Sequence, residues 1–164
     1  MAVGKKTFDS KISANCVIER RFLTDGNEVY GYVSGIALEN LAGVSTQVPN
    51  TVDITTNHTE ENGIRTCVGG RYVRLCIPLV LITSENMRIL QFLDLMSNVN
   101  VDRTYGSGRF LFEDFIRNLH LKLKDISAYI NLFPSKTMKN IERSGVVDIF
   151  ENSMLASSNM SLEN

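Results

Sequence analysis

Ile64-Arg65-Thr66-Cys67-Val68-Gly69-Gly70-Arg71-Tyr72-Val73-Arg74-Leu75-Cys76-Ile77-Pro78-Leu79-Val80-Leu81-Ile82-Thr83 is the stretch that decides the fold. β-Branched and aromatic residues on both sides of a Gly-Gly pair predict a short strand over 64–68, a break or bulge at Gly69-Gly70, and a long strand over 71–83. Alternation puts Val73, Leu75, Ile77, Leu79 and Leu81 on one face of the long strand and Tyr72, Arg74, Cys76, Pro78, Val80 and Ile82 on the other. Both faces are apolar after Leu75, which predicts burial on both sides. Pro78 has no N–H to give to a ladder, so it predicts a bulge or a sheet edge. An apolar edge there needs covering, and a second copy of the chain is the expected cover.

Upstream, residues 16–23 alternate with period two, Asp25-Gly26-Asn27 offers a turn, and Val29, Tyr30, Tyr32, Val33 and Ile36 read as the return strand of a hairpin. Residues 39–50 read as loop, 51–57 as a short strand and 58–63 as a polar turn. Downstream the period changes. Ser84 is the expected N-cap of a helix whose stripe is Met87, Ile89, Leu90, Phe92, Leu93 and Met96. Phe112, Phe115, Ile116, Leu119, Leu123, Ile126, Ile130 and Phe133 step by three or four, predicting one long helix that ends at Pro134. A short helix from Ser135 to Arg143 stops at Gly145, and 146–150 reads as a strand or a further turn. The fold class is therefore α+β, a mainly antiparallel sheet from the N-terminal half packed against C-terminal helices. The expected division is a flexible basic arm over 1–13, a single α+β domain over 14–150 and a mobile polar tail over 151–164.

Composition bounds the function. At 164 residues, with 43% hydrophobic and 21% charged residues, the chain fits one globular domain and excludes wholesale disorder. A net charge of −1 excludes a globally basic nucleic-acid binder. The charge is nevertheless blocked. Residues 22–64 hold six acidic residues and no Lys or Arg, while 109–143 hold seven basic and four acidic ones. Blocks of opposite sign suit docking onto further copies or onto a charged surface. Three cysteines make no disulfide framework, and no apolar run behind Lys5 and Lys6 resembles a secretory signal. No run reaches bilayer-spanning length, and Ala2 excludes N-myristoylation. A reducing, cytoplasmic setting is expected, in which the Asn57-His58-Thr59 and Asn159-Met160-Ser161 patterns stay unglycosylated.

No strong catalytic motif is present. Cys16, Cys67, Cys76, His58 and His120 lack metal-ligand spacing, so no metal and no cofactor is expected. No nucleophile elbow exists, and two histidines give little support to a triad. Gly106-Ser107-Gly108-Arg109 precedes a helix, where Arg109 is a possible phosphate contact. Arg65, Arg71 and Arg74 are the other possible phosphate contacts, although residues on a strand need not share one face. Tyr72-Val73-Arg74-Leu75 and Tyr129-Ile130-Asn131-Leu132 match tyrosine-based sorting patterns, but each lies in a predicted core element.

The β-then-α order, the polar basic start and the Gly70-Arg71-Tyr72 step into a long apolar strand resemble the matrix proteins of rhabdoviruses, of the plant-infecting kind, over roughly residues 14–150. The resemblance implies a non-enzymatic structural protein that associates with itself and bridges a viral nucleocapsid or ribonucleoprotein to the anionic inner surface of a membrane, in the host cytoplasm and in the virion. It implies that Lys5, Lys6 and Lys11 contact membrane or nucleocapsid, at about 1 kcal/mol each near an anionic surface, and that Phe8 anchors the arm in self-association, with Pro78 at a further contact. The alternative is an adaptor that binds one host or viral partner without polymerising. A third is a small ligand-binding domain or enzyme with a pocket between sheet and helices.

Overall fold

The computed structural model describes residues 14–162. Strands β1 (Gly31–Ser34), β2 (Thr51–Thr56), β3 (Ile64–Val68) and β4 (Arg71–Cys76) form one sheet in the order β1-β2-β4-β3. β1 is antiparallel to β2 and β3 to β4, whereas β2 and β4 are parallel, so the sheet is mixed. The helices are α1 (Gly35–Leu41), α2 (Met87–Asn98), α3 (Arg109–Asn118), α4 (Leu123–Ser127), α5 (Ser135–Arg143) and α6 (Val146–Leu162). All four strands lie in the N-terminal half, and the fold class is α+β. Among the described residues no helix is long and apolar enough to cross a membrane.

The chain divides into two compact units, each made of two stretches. The first holds the chain up to Ala37 together with Val48–Met87. The second holds Leu38–Gln47 together with the chain from Arg88 onward.

In the first unit, Ile54, Val68, Val73 and Leu75 gather on one sheet face and bury Phe22, with Ile18, Leu23 and Val52 at the margin. The stretch carrying Phe22 corrects the expected hairpin. Residues 14–18 are helical, and Glu19–Leu23 widens into a π turn closed by the Thr24 N–H on the Glu19 carbonyl at 2.9 Å. Asn15, Ile18, Glu19, Phe22 and Leu23 make a helical stripe. Ile18 and Phe22, four apart, satisfy a period of two as well as one of 3.6. The predicted turn is present, with Gly26 at φ 93° and the Asp25 carboxylate accepting from the N–H groups of Asn27 and Glu28. Those bonds hold the Asp25 carboxyl below its ordinary pKa. Only a single bridge, Thr24 with Val29, joins the turn's two arms. The return strand is shorter than expected: Gly35, at φ 61°, turns it into α1. Gly31 is required by proximity, because a Cβ there would lie 1.8 Å from the Phe22 carbonyl oxygen.

The Gly69-Gly70 pair, at φ 56° and 83°, makes the two-residue turn of the β3–β4 hairpin. β4 ends at Cys76, before Pro78, and has neighbours on both sides. Pro78 is therefore neither a bulge nor an edge residue. It lies beyond the ladder, in an irregular stretch that bends at 79–80 and from which Ile77, Leu79 and Leu81 stand exposed.

The second unit has its own core, in which Phe92, Leu93 and Met96 of α2 meet Phe112 and Ile116 of α3 and Val146, Ile149 and Phe150 of α6. The Phe92 and Phe150 rings meet edge to face at 5.6 Å. Thr83 takes the capping role expected of Ser84. Its hydroxyl accepts from the Asn86 N–H at 3.3 Å while the Asn86 side chain accepts from the Thr83 N–H at 2.8 Å. The expected long helix breaks after Leu119, where His120 stands at φ 53°, and continues as α4 and a 3-10 turn over Ile130–Leu132. The short helix over Ser135–Arg143 is present, followed by Gly145 at φ 73°. Residues 146–150 are helical, not strand or turn, and α6 runs on into the stretch read as a polar tail. Its Ser153 and Ser158 hydroxyls donate to the carbonyls four residues back, which lets polar residues stay in a helix.

Glu39 of α1 is half-buried. That burial raises its carboxyl above the ordinary 4.5, with Arg103 opposing. A raised folded pKa contributes stability that is complete below the unfolded value and is lost as pH rises through the folded one. Glu39→Gln is therefore expected to melt higher than the parent near pH 7 and to match it near pH 3.5, as read by thermal melts across that range.

Candidate functional site

Pairing registers decide which strand residues share a face. Tyr72 of β4 lies opposite Cys67 of β3 and Thr51 of β2, and Arg74 lies opposite Arg65 of β3 and Asp53 of β2. Register partners project to the same side. One face of the β2–β4–β3 region, the outer face, therefore presents Arg65, Cys67, Tyr72, Arg74 and Asp53 together. Tyr72 is 58% exposed. The other face is the one that buries Phe22, and Arg71 points there, so only Arg65 and Arg74 of the three strand arginines are brought together.

Arg74 is bound to Asp53 by two parallel bonds, Nε to Oδ1 at 2.8 Å and Nη2 to Oδ2 at 2.6 Å. The hydrogen bond to the Asp53 carboxylate, and its charge, raise the Arg74 guanidinium above its ordinary pKa. Asp53 also lies close against Gly35, where a Cβ would come within 2.3 Å of Oδ2. Its carboxylate is thus fixed from two sides. Arg65 has no carboxylate partner among the described residues. Two guanidinium groups directly opposed across an antiparallel pair repel, and Asp53 offsets only one of them. One uncompensated positive charge beside an exposed phenol ring is the chemical character of this face. It can contact a phosphate and stack a planar base.

The remaining candidates fall elsewhere. Lys5, Phe8, Lys6 and Lys11 lie outside the described residues. Arg71 Nη1 donates to the Asn15 side-chain carbonyl at 2.5 Å on the inner face. Arg109 is engaged within the second unit: its Nε donates to Glu113 at 2.8 Å, its Nη1 donates to the Ser144 carbonyl at 2.8 Å, and its guanidinium covers the Tyr105 ring at 4.6 Å. It braces the start of α3 and leaves few donors for an anion.

His58 is engaged within the first unit. Its ring stacks on Tyr30 with centroids 4.0 Å apart, and its Nδ1 meets the Arg21 carbonyl at 2.8 Å. The Tyr30 hydroxyl donates to the Arg20 carbonyl. The widened π turn thus has two of its carbonyls taken by a stacked ring pair. Burial, reinforced by the Asp25 charge, raises the Tyr30 phenol above its ordinary pKa. Among the described residues no three His, Cys, Asp or Glu side chains gather as metal ligands.

Sequence reasoning gave Arg65 and Arg74 but missed Asp53 and the exposure of Tyr72. The signal for both is strand order and register, and here the parallel β2–β4 pairing sets Asp53 beside Arg74. Comparison of the chain with protein-family models, with curated proteins and with solved structures finds no match.

Arg65→Glu is expected to stabilise the sheet by about 0.5 kcal/mol, because an opposed like-charge pair becomes an opposite-charge one. A rise in the urea midpoint at unchanged slope checks it.

Proposed function

We propose that this protein is a non-enzymatic structural protein of viral matrix type, which associates with itself and bridges a ribonucleoprotein to the anionic inner surface of a membrane, in the host cytoplasm and in the virion. The observation that supports the reading is the outer sheet face, where the unpaired Arg65, the exposed Tyr72 and the fixed Arg74 stand together. Arg65 meets RNA phosphates and Tyr72 stacks on a base of the nucleocapsid's RNA. Asp53 orients Arg74 and lowers the net charge of the patch, so the contact is one of modest affinity that many copies multiply. The apolar residues around Pro78, namely Ile77, Leu79 and Leu81, are exposed and suit contact between copies. The basic start of the chain, with Lys5, Lys6 and Lys11, supplies the attraction to anionic lipid.

A destabilising like-charge pair kept on an exposed face is what a binding surface requires and what a merely solvated face does not. The test follows from that conflict. Arg65→Glu is expected to weaken binding of a labelled single-stranded RNA, read by fluorescence anisotropy, and to flatten its dependence on log salt by about one unit or more. Tyr72→Ala is expected to weaken it about tenfold, within the ~1–3 kcal/mol of a lost base stack. Unchanged affinity in both variants contradicts the reading. Light scattering that grows with concentration at low salt supports self-association, and scattering that stays small favours the adaptor that binds one partner without polymerising.

A further inference from the structure

Between residues 15–23 and the inner face of the sheet lies a cavity of about 270 Å³ that the outer face does not touch. Its walls are aliphatic: Ile18 and Leu23 from the helical stretch, and Val33, Val52, Ile54 and Val73 from the sheet. The other three lining residues, Asn15, Glu19 and Arg71, are exposed, so the polar groups stand at its mouth. The space is open to solvent on the side of these three residues, and water along its aliphatic walls finds few polar partners. Collapse of the helical stretch onto the sheet is the ordinary outcome, and two features oppose it. Phe22 is already docked, its backbone lying against Gly31. The π turn that supplies Glu19 and Leu23 is held by the Tyr30 hydroxyl and the His58 ring, neither of which lines the cavity. π turns of this kind sit disproportionately at functional sites.

The mouth selects the ligand. Arg71 is fixed there by Asn15 at 2.5 Å and has no carboxylate within ion-pair distance among the described residues. Glu19 stands at the same mouth and makes no ion pair with Arg71. An anionic head on Arg71 with an aliphatic tail along the walls uses both parts of the site, and Glu19 limits how tightly it is held. We infer that the cavity binds a free, unbranched, medium-chain aliphatic carboxylate, its tail along the aliphatic walls and its head on Arg71, with decanoate as the probe.

Calorimetric titration of the full chain with sodium decanoate, kept below its micelle concentration, tests this. Saturable binding at one site per chain is expected, together with a rise in melting temperature as decanoate increases. Val52→Phe, from the sheet, and Ile18→Phe, from the helical wall, each fill the cavity and are expected to abolish binding. Using one from each wall guards against a variant that does not fold, which its own melt reveals. Arg71→Gln is expected to weaken decanoate about tenfold, the worth of one charge-assisted hydrogen bond, and to leave decanol unchanged. Glu19→Gln is expected to tighten decanoate, and Tyr72→Ala to leave it unaltered, which separates this site from the outer face. No saturable binding, binding that survives in both folded filling variants, or an Arg71→Gln loss equal for decanoate and decanol overturns the inference. Uptake by anionic phospholipid vesicles with no binding of free decanoate overturns it as well.

Discussion

The parallel pairing of β2 with β4 is the constraint from which the first unit's surfaces follow. Because β3 lies outside β4, the chain leaves β2, forms the edge strand, and returns through Gly69-Gly70 to lie between them. That order sets Asp53 beside Arg74 and Arg65 on Arg74's other flank. It also places Tyr72 on an internal strand, where its ring rests on a platform instead of at a frayed edge. A slip of one residue in this pairing sends Arg74 to the core and Val73 to solvent, so hydrophobic burial of Val73 and Leu75 enforces the polar arrangement on the opposite face. The apolar packing on one side of the sheet and the polar cluster on the other follow from the same register.

The inner face is governed by a second constraint, the approach of the Phe22 backbone to Gly31. A helical stretch pinned at one residue, and held in a π turn by Tyr30 and His58, lies over small aliphatic side chains without filling the space above them. Val33 and Val52 are small β-branched residues, and no aromatic side chain of the sheet lines the gap. The two sheet faces thus carry different chemistry, cationic and aromatic outside, aliphatic with a polar rim of Asn15, Glu19 and Arg71 inside. Arg71 and Arg74, three residues apart on one strand, serve opposite sides.

Much of the fold was legible in the residues. β2, β3 and the first half of β4 are plain from their β-branched content, whereas Gly69-Gly70, read as a break or bulge, is the two-residue turn of the β3–β4 hairpin. The stripe of α2 and the short helix before Gly145 were equally clear. The stretch 16–23 was not, because Ile18 and Phe22 fit strand and helix alike. What decides between the two is distant in sequence, the rings of Tyr30 and His58 taking the carbonyls of a turn. The break at His120 leaves the three-and-four spacing from Phe112 to Phe133 intact, so hydrophobic pattern alone reads through it. α6 was hidden by Ser and Asn, whose preference for turns is overridden where Val146, Ile149 and Phe150 bury one side and serines bond back to the helix. Of the candidate site, the arginines were visible as residue types. Their sorting onto two faces was not, because strand order, and above all a parallel pair, is a long-range property.

Ultraviolet cross-linking of the intact protein to single-stranded RNA, followed by peptide mapping, shows which surface touches the polymer. A nucleotide adduct on Tyr72, within the peptide that also holds Arg74, is the expected result. Adducts confined to other surfaces, or none at low salt where polyanion contacts are strongest, would contradict a role for the outer sheet face in holding a ribonucleoprotein.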